Sequence, residues 1–237
     1  MSKIFAAPLG ALMRFVFEMV EKIGNEPKSM SFYALTIIIT TIIFKFLLLP
    51  IAISMNRSMK KMNDLNPKMK EIQNKYKNDP QTQSAKLAQL YKENKVNPAS
   101  SCLPLIVQMV ILFAFFAVMR DPVQYVFKDK AFYDALSKNF LWIKNLEQPD
   151  PFLWGTPLIV GLTTYFQSVT TPNQAAADPQ TKSTQRTMNI FLPLMLFWFA
   201  RSFSAGLGLY WVVSNIFQII QQLISKRSLD KAKGELK

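Results

Sequence analysis

FYALTIIITTIIFKFLLLPIAI, residues 32–53, decides the fold. A helix needs about 20 predominantly apolar residues to cross the roughly 30 Å hydrocarbon core of a bilayer, and this run carries a single charge, Lys45. Half of the 237 residues are hydrophobic, too many for a soluble core of this size to hide. An all-α integral membrane protein is therefore expected. Four more spans follow at residues 101–119, 151–169, 187–203 and 205–224. The fourth is the weakest, because its uninterrupted apolar stretch is only 190–200, and a four-span chain stays open as the alternative. Residues 201–206 read as a tight turn, which makes the last two spans a hairpin.

The connections set the orientation. Residues 54–100 hold ten Lys and Arg against four Asp and Glu, whereas 120–150 hold five of each. The excess of positive charge stays on the cytoplasmic side. The segment 54–100, the loop 170–186 and the basic tail 225–237 are then cytoplasmic, with the N-terminus outside. In residues 1–31, Leu9, Leu12, Met13, Val16, Val20 and Ile23 recur at helical spacing, so an amphipathic helix from Pro8 onward is expected on the outer surface. A cleaved leader is the other reading, opposed by Arg14, Glu18, Glu21 and Lys22.

Several chemistries are excluded by composition. There is no histidine and one cysteine, Cys102, so Ser-His catalysis, imidazole metal sites and internal disulfides are absent. The seven glycines form neither a Walker A nor a GxGxxG sequence. No catalytic residue, metal or cofactor is expected, and the chain is read as a non-enzyme. The net charge of +13 points to phosphate on lipid headgroups or ribosomal RNA; DNA is not an expected partner.

In the cytoplasmic segment, Met55, Met59, Met62, Leu65, Met69, Ile72 and Tyr76 fall every three or four residues. They predict one helix of about two dozen residues, stopped at Asn78-Asp79-Pro80 and paired with a shorter helix carrying Leu87, Leu90 and Tyr91. Most of the stripe is the seam of that pair. Methionine adapts to varied apolar partners, so Met55, Met59, Met62 and Met69 are candidate contacts for hydrophobic segments of many sequences.

Polar residues inside the spans are the second signal. Lys45 lies eight residues, about 12 Å at 1.5 Å per residue, from the end of the first span, where insertion of a lysine costs about 2.5–3.5 kcal/mol. None of the five spans contains Asp or Glu. Trp211, Asn215, Gln218 and Gln222 make one polar face on the fifth span, the second carries Gln108, and the third Thr163, Thr164 and Gln167. Any one of these polar groups fits an interhelical hydrogen bond; together with an unpaired cation they predict a wet cavity within the bilayer.

The run Tyr91-Lys-Glu-Asn-Lys-Val-Asn-Pro98 followed by Cys102-Leu-Pro-Leu-Ile-Val-Gln108-Met resembles the entrance to the second core span of the YidC/Oxa/Albino membrane protein insertases. Leu65-Asn-Pro-Lys-Met-Lys70, Gly208-Leu-Tyr-Trp211-Val-Val-Ser-Asn215 and Gln221-Gln222 are similar to that family as well. The resemblance runs from about residue 32 to the end, closest to the shorter Gram-positive-type members. It implies a bacterial plasma-membrane protein with five spans around a hydrophilic groove open to lipid and cytoplasm. It also implies nascent membrane proteins and lipids as partners, with or without the Sec translocon and the ribosome. The family's groove arginine lies five residues before a proline; Lys45 and Pro50 keep the spacing with lysine in its place. The groove glutamine matches Gln108 and the aromatic groove residue Trp211. The expected groove set is Lys45, Gln108, Thr164, Gln167, Trp211, Asn215 and Gln218. The rival class is an ion channel or solute transporter, for which Lys45 would be a substrate counter-ion.

Overall fold

The structure, a computed structural model, describes residues 2–97, 103–171 and 179–234. The described residues form helices and no strand: α1 (Ser2–Glu21), α2 (Phe32–Leu47), α3 (Leu49–Asp64), α4 (Asn66–Lys75), α5 (Pro80–Glu93), α6 (Leu103–Arg120), α7 (Lys130–Ala135), α8 (Thr156–Thr170), α9 (Pro179–Phe199) and α10 (Ala205–Gly234), with a π-helical turn at Val123–Phe127 after α6.

The run 32–53 is not one straight helix. Ser31 caps α2 by accepting from the Ala34 amide at 3.2 Å, but the helix stops at Leu47 and α3 leaves at 56°. Pro50 is the cause. It has no N–H to continue the ladder and its ring collides with the carbonyl four residues back, whereas the first turn of a new helix accepts it. Lys45 is therefore in the last turn of α2, just before the break. The expected long cytoplasmic helix is likewise split at Leu65, because Pro67 falls in the first turn of α4. α5 is capped by Asp79, which accepts from the Thr82 amide at 3.1 Å, and pairs with α4.

Other boundaries move for tertiary reasons. α1 begins at Ser2 and passes through Pro8. Ala6, Leu9, Met13, Phe17 and Val20 form its buried face, while Ile23 is 75% exposed. Packing of Ala6 and Leu9 into the core offsets the hydrogen bond that Pro8 cannot make. α8 starts five residues later than 151, because residues 151–155 wrap around Asp150. α9 runs from Pro179 to Phe199 rather than 187–203, and α10 continues beyond 224. Cys102 lies outside the described residues.

The core joins α1, α2, α6 and α10. Tyr33, Ile37, Phe115, Val118, Leu146 and Tyr210 are fully buried, with Phe115 and Tyr210 stacked at 3.9 Å between centroids. A smaller cluster of Val160, Leu196 and Ala200 joins α8 to α9. Although α9 and α10 are linked by a short turn, both pack on α8. The loop before α8 anchors three helix starts. Ser31 N donates to Asn139 O, and the first amides of α10, Ala205 and Gly206, donate to Gln148 O and Leu146 O, each at 2.8 Å, satisfying donors that a helix start leaves open. Asp150, 5% exposed, accepts from Trp142 Nε1, Phe152 N, Thr156 N and Thr156 Oγ1 at 2.8–3.0 Å.

By length and composition, α10 over Ala205–Ser225 is able to cross a membrane, as is the bent α2–α3 pair taken as one span. Ile106–Arg120 and Asn189–Phe199 are shorter apolar helices.

Candidate functional site

A cavity of about 620 Å³ lies among α2, α3, α6, α8, α9 and α10. Helical periodicity puts its polar lining on one face of α10. Trp211, Asn215, Gln218 and Gln222 point into it, covering about 16 Å of that helix at 1.5 Å per residue. Nearer the start of α10, Leu207, Leu209 and Tyr210 are buried in the apolar core, so one end of the polar lining abuts a packed plug.

All seven residues expected from sequence (Lys45, Gln108, Thr164, Gln167, Trp211, Asn215 and Gln218) line this one cavity. Lys45 Nζ donates to Gln108 Oε1 at 3.3 Å, and Gln218 Nε2 donates to the same oxygen at 3.0 Å. Gln108 Nε2 reaches Tyr210 Oη at 3.4 Å. Gln167 Nε2 donates to Gln218 Oε1 at 3.0 Å, and farther along Gln222 bridges Thr170 and Thr171. Amides and hydroxyls from α6, α8 and α10 thus form a chain that ends on the Lys45 side chain of α2.

A second group sits beside it. Thr164 Oγ1 donates to Val160 O at 2.7 Å and accepts from Trp211 Nε1 at 3.1 Å. The Asn215 amide lies 3.0 Å from Thr164 Oγ1 and 3.2 Å from Thr163 Oγ1, and it bonds to this group in either amide orientation.

The electrostatics are one-sided. Lys45 is only 7% exposed, and no Asp or Glu is among the described residues lining the cavity. The amide oxygen of Gln108 solvates the ammonium without neutralising it, and an ammonium has three donors. Gln221 Nε2 is a further buried donor without a partner among the described residues. The cavity is therefore rich in donors, with Lys45 the one basic residue among the described residues that line it. The described residues contain no group of three or more His, Cys, Asp or Glu able to hold a metal.

The methionines divide. Met55 and Met59 are buried and line the cavity. Met62 does not line it, and Met69 meets Tyr91 Oη at 3.7 Å within the α4–α5 pair. Sequence reasoning passed over Asn56, Thr171, Met109 and Met195, which also line the cavity. Asn56, next to Met55, carried the only usable signal, a polar residue bordering an apolar stripe.

The model of the 60Kd inner membrane protein family matches residues 26–232. The chain is 36% identical over 228 residues to the "Membrane protein insertase YidC" of Caldanaerobacter subterraneus subsp. tengcongensis, covering 96% of both proteins. It is 33% identical over 232 residues to the protein of the same name in Geobacter metallireducens, covering 98% of this chain and 38% of the relative. A Helicobacter pylori relative with that name is 35% identical over 229 residues, with 97% of this chain and 37% of the relative covered. The chain thus spans nearly the whole of the first relative and under two-fifths of the other two. A family match across most of the chain, and this identity over almost the full length of a relative, mean that the chain belongs to the 60Kd inner membrane protein family, that of the YidC insertases.

Proposed function

We propose that this protein is a membrane protein insertase of the bacterial plasma membrane, working without catalytic residues, cofactor or ATP. It crosses the bilayer five times with its N-terminus outside and its C-terminus in the cytoplasm. The cavity is a hydrated groove open to the cytoplasm and to lipid. A client's short polar tail enters it while the client's apolar helix slips into the bilayer beside it. The observation that carries this reading is a largely apolar cavity with one polar face, in which Lys45 is the only charged lining group among the described residues and faces no carboxylate of theirs.

Moving a bare carboxylate through hydrocarbon is prohibitive. Gln108, Gln167, Gln218 and Gln222 replace part of its hydration shell, and Lys45 attracts it. A potential negative inside adds about 2.3 kcal/mol per charge per 100 mV in the same direction, and burial of the apolar helix in lipid drives release. Met55 and Met59 offer adaptable apolar contact at the groove's edge, with Met62 and Met69 farther along the cytoplasmic hairpin. The ribosome, through the basic tail, and the Sec translocon are the proposed accessory partners.

Purified protein in liposomes is expected to insert a small single-span client, scored by protease protection, with no nucleotide and no ion conductance. A steady ion current or solute uptake without insertion refutes this reading in favour of a channel or transporter.

A further inference from the structure

A second cavity, of about 660 Å³, lies between α1 and the C-terminal part of α6 and shares no lining residue with the first. Its volume falls in the roughly 300–1,000 Å³ range of small-molecule sites. Its apolar walls include Phe5, Phe113 and Phe116, which are 51%, 56% and 45% exposed, and its far end carries Arg120 and Asp121. On α6 the exposed residues Ile106, Met109, Phe113 and Phe116 follow at spacings of three and four, and the same face ends at Arg120. From Val110 to Arg120 the lining runs about 15 Å at 1.5 Å per residue, half of the roughly 30 Å hydrocarbon core and hence one leaflet.

The mouth is a pair of opposite charges. Arg120 is in neither of the ion pairs that the described residues form. Asp121 Oδ1 accepts from Gln124 N at 3.1 Å, and no described residue bonds to its second oxygen. An apolar slot one leaflet deep, with a cation and an anion side by side at its mouth, complements a lipid bearing both phosphate and ammonium. We infer that this crevice between α1 and α6 binds one phosphatidylethanolamine, with an acyl chain along Phe113 and Phe116, the phosphate at Arg120 and the amine at Asp121. A primary ammonium donates hydrogen bonds to a carboxylate, whereas an anionic glycerol headgroup meets Asp121 with like charge. On the proposed orientation the crevice faces the outer leaflet; the headgroup preference does not depend on that orientation.

The test is native mass spectrometry of the full chain extracted from bilayers of equal phosphatidylethanolamine and phosphatidylglycerol. One retained phosphatidylethanolamine is expected, preferred at least fivefold. Asp121→Asn keeps the acceptor for Gln124 N and is expected to lower that preference roughly fivefold, about 1 kcal/mol at 1.4 kcal/mol per tenfold. Arg120→Gln is expected to weaken retention of both lipids. No retained lipid, a preference unchanged in Asp121→Asn, or a co-purifying polypeptide in the crevice in place of lipid overturns the proposal. Retention is measured without a client, so its failure leaves the insertase reading standing, and failure of the insertion assay leaves this one standing.

Discussion

Replacing Lys45 along a charge series isolates what the groove does. Lys45 Nζ lies 3.3 Å from a neutral amide oxygen and none of the described residues lining the cavity is a carboxylate, so a client carboxylate entering it meets a cation that they leave unneutralised. At 4 Å and an effective dielectric near 20 the attraction is about 4 kcal/mol before desolvation. Stripping water from both partners removes much of that gain. A net contribution of about 1.4–2.8 kcal/mol corresponds to a tenfold to hundredfold effect. Lys45→Gln keeps a donor for Gln108 Oε1 but not the charge. It is expected to slow insertion of a client with Asp or Glu in its translocated tail by that factor, and a neutral-tailed twin by less than twofold. Lys45→Arg is expected to retain activity, and Lys45→Glu to be worse than Lys45→Ala for acidic tails. The assay is protease protection in liposomes with paired clients that differ only in tail charge, with and without an imposed potential. Equal insertion of both clients by the Lys, Gln, Ala and Glu forms would refute the electrostatic role.

Asp150→Asn leaves at least one of the four donors around that carboxylate without an acceptor, at about 1–3 kcal/mol, seen as a lower melting temperature in detergent. Burial pushes the Asp150 carboxyl up, but bonds from the Thr156 and Phe152 amides and from Trp142 outweigh it and hold it below the usual range. Its stabilisation is present above the ordinary aspartate value of about 3.9 and is lost as pH falls through the lower folded value, so in Asp150→Asn that acid-side loss disappears. Gly10→Ala puts a Cβ 2.5 Å from the Tyr125 carbonyl oxygen; forcing α1 off the π-helical turn is expected to destabilise by about 1–3 kcal/mol, read in the same melt. For topology, a cysteine at the exposed Ser137 is expected to react with an impermeant thiol reagent on intact cells while Cys102 does not; the reverse pattern overturns the orientation.

What the sequence determined by itself is what periodicity and composition carry. Residues 205–224 read as a span because apolar content over 20 residues decides partition into a bilayer. Trp211, Asn215, Gln218 and Gln222 read as one face because 3.6 residues per turn puts them there. The family motifs then tied Lys45, Gln108 and Trp211 to one groove. Periodicity names a face, however, and not what lies opposite. That Gln108 receives both Lys45 and Gln218, and that Gln167 reaches Gln218, depends on α2, α6 and α8 all packing against α10, with bonds between residues 51 to 110 positions apart. The break at Leu48 was carried by Pro50, yet an apolar run is equally compatible with a mildly kinked span, and only the structure shows a bend of 56°. The buried face of α1 turned on Phe17 rather than Ile23, because Phe127 and Phe132 pack against the former at 4.9 and 6.0 Å. Asp150 offered no signal at all among the five acidic residues of its loop. Only the tertiary structure brings Trp142, Phe152 and Thr156 around it, and a carboxylate becomes a fixed point of the fold only when donors from separate turns converge on it out of water.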